Sequence, residues 1–175
     1  MRIIGLAGWS GAGKTTLLSR LSPRLIARGL SVSTIKHAHH AFDVDTPGKD
    51  SWLHREAGAT EVLVASSARF ALMHELRGAP EPELGDLLGR MQPVDLLLIE
   101  GFKHCGQPKI EVHRAANAKP FLFPADPAVA ALATDSPPAG CTLPVAHLDD
   151  IEAIARLALD AARPAEAFAR VPWPL

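Results

Sequence analysis

Gly8-Trp9-Ser10-Gly11-Ala12-Gly13-Lys14-Thr15 matches G-x-x-x-x-G-K-[ST] at every fixed position. The chemistry of that pattern is a grip on phosphate. Glycines let the backbone curl until successive N–H groups aim at one oxyanion, a path that side chains would obstruct. A helix that follows such a loop adds its unpaired N–H groups and its dipole to the same anion. Lys14 then reaches the β- and γ-phosphates as a point charge, and the Thr15 hydroxyl is a ligand for Mg²⁺. The expected ligand is a purine nucleoside triphosphate.

Other residues could complete that site. Val94-Asp95-Leu96-Leu97-Leu98-Ile99-Glu100-Gly101 reads as a buried strand ending in a carboxylate. In open α/β sheets ligands sit beyond the carboxyl ends of strands, so Glu100 is expected beside the loop, holding Mg²⁺ directly or through water. Asp95, at the opposite end, reads as structural. The polar stretch after the second strand offers Asp45 as a metal-linked carboxylate, Asp43 as an alternative acid, and Lys49 and Arg55 as anion contacts or as solvated charge. Lys36, His37, His39 and His40 cluster at a strand end. Contact with a phosphorylated ligand, a solvated loop and a metal store are all open readings of that cluster. The guanine reader Asn-Lys-x-Asp is absent, but Val129–Thr134 followed by Asp135 supplies a carboxylate able to accept from guanine N1 and N2. Lys14, Glu100 and Asp45 are thus the expected catalytic group, with Thr15, Asp45 and Glu100 at the metal.

The elements that must position these groups follow from periodicity. Arg2–Ala7 is an apolar run and reads as a buried strand. Leu17, Leu18, Leu21, Leu25 and Ile26 recur at helical spacing up to Gly29, with Pro23 predicting a kink or break. Residues 31–36, 61–65, 69–75, 94–99, 109–113 and 129–133 read as strands, the third expected to pair with the second as an edge hairpin. Helices are expected from a cap at Asp50 to Gly58, over Pro82–Met91, and from Asp149 or Asp150 onward. Strands alternating with helices, some strands wholly apolar, predict an α/β fold of the P-loop type: a mainly parallel sheet with helices on both faces, plus the hairpin. One domain over residues 1–163 and an irregular proline-bearing tail over 164–175 are expected.

Composition narrows the partners. At 175 residues with a net charge of −1, the chain has no global basic field to hold nucleic acid or an anionic membrane. Cys105 and Cys141 form no CxxC pair, which disfavours a disulfide framework or a thiolate zinc site. No segment approaches the ~18 apolar residues of a membrane span, and the cytoplasm is the expected location.

Several separated motifs together carry a resemblance. GWSGAGKTTLL, IKHAHHAFDVDTPGKDS, REAGA, RFALM, LLLIEGFKH, ATD and DDIEAIARLA are similar to the molybdopterin-guanine dinucleotide biosynthesis protein B family, across residues 1–160. The resemblance implies a homodimeric, GTP-binding adapter with weak GTPase activity and Mg²⁺ as the nucleotide's metal. It would work with the guanylyltransferase that joins GMP to molybdopterin. Carried over by position, Gly11, Ala12, Gly13, Lys14, Thr15 and Thr16 bind nucleotide, while Asp45, Lys49 and Glu100 form the periphery of the active site. Molybdopterin or its guanine dinucleotide is the implied second ligand, with the loop of His37, His39, His40 and Lys49 as its landing surface. A small-molecule kinase with Asp43 as base, and a metal-insertion GTPase using the histidines, remain alternatives. The 69–75 strand is the expected dimer edge, since apolar edge strands invite pairing.

Overall fold

Arg2–Ala7 carries apolar side chains toward both faces, so it is stable only inside a sheet covered on both sides. In the computed structural model of the chain it becomes β1, the strand that leads into the P-loop. The structure describes residues 1–38 and 42–168. In chain order the elements are β1 (Arg2–Ala7), α1 (Lys14–Ile26), β2 (Val32–Lys36), α2 (Asp50–Glu56), β3 (Glu61–Ala65), β4 (Phe70–His74), α3 (Leu84–Leu88), β5 (Leu96–Glu100), β6 (Lys109–His113), β7 (Val129–Thr134), β8 (Val145–Ala146), α4 (Ile151–Ala161) and β9 (Arg163–Pro164). They fall into two units, Ala38–Glu83 and the remainder.

The larger unit is a sheet in the order β2-β5-β1-β6-β7-β8, parallel throughout, with β9 antiparallel against the start of β1. Alternation along the strands divides the core. Ile4, Leu6, Leu96, Leu98, Ile110 and Val112 pack with α1 and α4 on one face. Ile3, Leu97 and Ile99 pack with Leu84 and Leu88 of α3 on the other. Helix α1 runs through Pro23 without a break. Asp150 caps α4 by accepting from the Ala153 N–H at 2.8 Å, as expected of an acidic N-cap. The helix expected over Pro82–Met91 is only Leu84–Leu88.

No α-helix joins β6 to β7, only one 3-10 turn at Ala115–Asn117. A long loop covers the sheet there, and every second residue of β6 ties it down. Lys109 Nζ donates to Asp126 Oδ2 at 2.8 Å. The Glu111 carboxylate accepts the Leu122 and Phe123 N–H groups at 2.7 and 2.9 Å. His113 stacks on Phe121 at 3.7 Å, and its Nε2 lies 3.0 Å from the Lys119 carbonyl. Burial pushes the Glu111 carboxyl up, against the two N–H groups that pull it down. Gly5 makes room for this row, since a Cβ there would come within 3.1 Å of Lys109 Cγ.

The smaller unit holds α2 and the antiparallel hairpin β3–β4, paired from Glu61↔His74 to Ala65↔Phe70. The hairpin is a two-stranded sheet of its own. Its Leu63, Phe70 and Leu72 are exposed, and Val62 is buried. Asp50 does not cap α2: Lys49 holds that position without a side-chain bond, and Asp50 lies in the first turn, where its charge still favours the helix dipole. No helix among the described residues is long and apolar enough to cross a membrane.

Candidate functional site

The P-loop leaves β1 at Gly8, whose φ is 145° and where a Cβ would sit 2.3 Å from the Val112 carbonyl oxygen of β6. Only glycine fits that approach. Gly13 stands at the N-terminus of α1 with no side-chain cap, leaving the first-turn N–H groups to an anion. Lys14 Nζ folds back over the loop, donating to the Gly8 and Trp9 carbonyls at 2.9 and 3.0 Å. Burial pushes the Lys14 ammonium below its usual value; Glu100 opposes this, while Lys103 and Lys36 reinforce it. A phosphate would exchange these neutral acceptors for charged ones.

Thr15 Oγ1 donates to Glu100 Oε1 at 2.8 Å, and Lys36 Nζ is 3.8 Å from the same oxygen. Parallel pairing of β5 with β1 and β2 places this buried carboxylate there, as the register Leu6↔Glu100 and Lys36↔Glu100 shows. A hydroxyl and a carboxylate so close are hard oxygen donors of the kind Mg²⁺ takes when phosphate and water fill its other positions. The residues present fit that ion.

Glu100 is followed by Gly101, at φ 102°, where a Cβ would lie 2.6 Å from His37 Cβ. The His37 N–H donates to the Glu100 carbonyl at 2.8 Å and its ring stacks on Phe102 at 4.6 Å. His37 thus braces the strand end. Gly101→Ala is expected to cost about 1–3 kcal/mol through the disfavoured backbone alone. A thermal melt reads that loss, and unchanged melting would show that the two strand ends are free to separate.

Other expected site residues sit differently. Asp135 Oδ1 accepts the Ala115 N–H at 2.8 Å and Oδ2 is 3.9 Å from Arg114, so one oxygen already fixes the β6–β7 loop. Asp45 and Lys49 belong to the smaller unit. There Asp45 accepts from Ser51 Oγ at 2.7 Å and from the Thr46 N–H at 3.0 Å, and its other oxygen faces Arg55 Nε at 3.3 Å. Arg55 also reaches Asp43 at 2.7 Å and Glu75 at 3.1 Å. The Asp43 hydrogen bond raises the guanidinium further, despite desolvation. These contacts give Asp45 and Arg55 a structural task within that unit. His39 and His40 lie outside the described residues, among which no three His, Cys, Asp or Glu side chains gather to hold a metal.

The loop after β6 contributes residues that periodicity did not single out. Asn117 Nδ2 donates to the Ser10 carbonyl at 3.2 Å, and Trp9 Nε1 to the Pro120 carbonyl at 2.8 Å. Arg114 NH2 lies 3.7 Å from where a Gly13 Cβ would stand. The available signal was position: each follows the carboxyl end of a parallel strand.

The chain is similar to known proteins over most of its length. Residues 3–135 match the family model described as molybdopterin guanine dinucleotide synthesis protein B. The chain is 46% identical over 158 residues to the molybdopterin-guanine dinucleotide biosynthesis adapter protein of Escherichia coli K12, covering 87% of this chain and 89% of that one. It is 46% identical over 138 residues to the same-named protein of Haemophilus influenzae, covering 77% and 75%. Among solved structures, a molybdopterin-guanine biosynthesis protein B superposes with a TM-score of 0.71 at 28% identity, over 90% of this chain and 98% of that one. Bacillus subtilis MobB gives 0.72 at 25% identity, over 93% and 99%.

Proposed function

This chain belongs to the molybdopterin guanine dinucleotide synthesis protein B family, and we propose on that premise that it is a cytoplasmic GTP-binding adapter. It would serve the guanylyltransferase that makes molybdopterin guanine dinucleotide. The observation that carries the nucleotide reading is the set formed by Lys14, Thr15 and Glu100 around an uncapped helix start. In this reading the backbone amides of Gly11, Ala12, Gly13, Lys14, Thr15 and Thr16 hold the phosphates. Mg²⁺, when bound there, would supply charge neutralisation at the phosphates. Thr15 and Glu100 would hold the ion, and Lys36, 3.8 Å from the Glu100 carboxylate, helps to orient it. Asp135 follows β7, away from the Glu100 side of β1, and supports a base-reading role with its less engaged oxygen.

Hydrolysis is slow in this proposal. Arg55, an expected anion contact, is engaged by Asp43, Asp45 and Glu75, so the charge that develops on the transferring phosphoryl lacks the support of an arginine finger from it. A homodimer is favoured by the apolar surface of the hairpin, Leu63, Phe70 and Leu72.

A nucleotide screen with Mg²⁺, run with and without the guanylyltransferase, tests the reading. GTP is expected to be retained over ATP, and Asp135→Ala to narrow that preference. Dinucleotide formation by the transferase is expected to rise in the presence of this chain. Failure to retain either triphosphate would defeat the nucleotide reading, and an unchanged transferase would defeat the adapter reading.

A further inference from the structure

Beside the P-loop lies an aromatic surface with cations converging on it. Trp9, the second residue of the loop, is fixed at its edge by the bond from Nε1 to the Pro120 carbonyl. Lys103 Nζ stands 5.9 Å from the centre of its ring and Lys119 Nζ 6.0 Å. Neither lysine has a carboxylate partner among the described residues. The cation–π attraction of an exposed pair, about 0.5–1 kcal/mol, is a weak reason to hold either ammonium beside the ring. An anion bound beside the indole is a stronger one.

Both lysines come from constrained backbone. Lys103 follows Gly101 and Phe102, at φ 102° and 49°, a left-handed pair held by the stacking of Phe102 on His37. Strain of this kind persists only where packing enforces it, and it gathers at functional sites. Lys119 is pinned through its own carbonyl by His113, and its neighbour Pro120 by Trp9. The strand order separates this place from the base-reading candidate: Lys103 follows β5 and Lys119 follows β6, whereas Asp135 follows β7.

We propose that Trp9, Lys103 and Lys119 form a second ligand subsite beside the P-loop, taking a flat heterocycle that bears an anionic group, as a phosphorylated pterin does. The heterocycle stacks on the indole and the ammonium groups hold the anion, so the subsite and the triphosphate are occupied together. The assignment rests on the adapter reading above, and it gives the pterin ligand a place at Trp9 in addition to the expected landing loop of His37, His39, His40 and Lys49.

Replacing Trp52 and Trp173 by phenylalanine leaves Trp9 as the sole tryptophan, so its emission reports this surface. The probe is pterin-6-carboxylate, with emission corrected for probe absorption against free tryptophan, titrated with and without saturating GTP. Saturable quenching is expected in both cases, weakened at least about tenfold when Lys103→Ala and Lys119→Ala are combined, the loss of one or two charge-assisted hydrogen bonds. GTP affinity is measured separately on the same samples by equilibrium dialysis. Absent quenching, quenching unaffected by the double variant, or quenching abolished by GTP would each overturn the subsite. If GTP is retained in those cases, the nucleotide reading stands without it. Lost GTP retention with intact, lysine-dependent quenching would overturn the nucleotide reading and leave the subsite.

Discussion

Lys14→Ala is expected to weaken triphosphate binding about tenfold to a hundredfold or more, because each charge-assisted hydrogen bond lost is worth ~1.5–3 kcal/mol. The structure sharpens the reason. Lys14 is partly withdrawn from water and its ammonium is satisfied by two neutral carbonyls of its own loop. Exchanging these for phosphate oxygens raises the strength of each bond, and the lysine's route to them is short. The variant removes a charge from a half-buried place that also contains Glu100, so the remaining carboxylate adds repulsion toward the phosphates. A fluorescence titration with a labelled triphosphate reads the change. Affinity equal to that of the parent protein would mean that the loop grips by its amides alone.

The second large effect concerns stability. Lys109 is 1% exposed and its ammonium has Asp126 at 2.8 Å as its partner. Removing one member of a buried pair strands the other charge, at a cost of about 3–5 kcal/mol. Asp126→Asn is therefore expected to lower the melting temperature by roughly 6–20 °C for a chain of this length. Scanning calorimetry of the single variant and of Lys109→Met combined with Asp126→Asn separates the causes. The combined variant should recover most of the loss, since apolar replacement of a buried pair is often neutral or better. A single variant that melts with the parent would show that water reaches Lys109.

The same pair gives the pH dependence its sign. Desolvation pushes the Asp126 carboxyl up, but the Lys109 bond and charge and the Ala128 N–H outweigh it and hold the group below the usual carboxylate value. Its stabilising contribution is thus complete above that usual value and lost as pH falls through the lowered one. Asp126→Asn should flatten the acid limb of the melting curve.

Much of the frame was legible in the residues. β1, β3 and β6 occupy the spans that hydrophobic patterning marks; β1 and β6 bury both faces, whereas β3 buries only Val62. Glu100 was placed beside the P-loop by a rule about strand ends, and the register against Leu6 agrees. The loop over β6 was less legible. In Lys109-Ile110-Glu111-Val112-His113 the alternation is visible, yet it resembles a strand with one wet face. All three polar side chains are in fact buried, and what covers them is a loop with no periodicity of its own. The surroundings of Asp45 were hidden for a related reason: the cation that faces it, Arg55, comes from further along the chain, within α2. Lys103 and Lys119 lie far apart in the chain, and only the sheet order brings them to one indole.

The position of β1 at the middle of the sheet has a consequence for synthesis on the ribosome. Its nearest neighbours, β5 and β6, begin at Leu96 and Lys109. At about 5–20 residues per second, Ile3, Ile4 and Leu6 of the nascent chain therefore wait roughly 5–20 s for the strands that will shelter them. The segment translated in that interval includes the self-contained hairpin β3–β4, which can pair locally without them. A growing chain of this protein should accordingly be a client for chaperones that bind short apolar stretches until the fifth strand emerges.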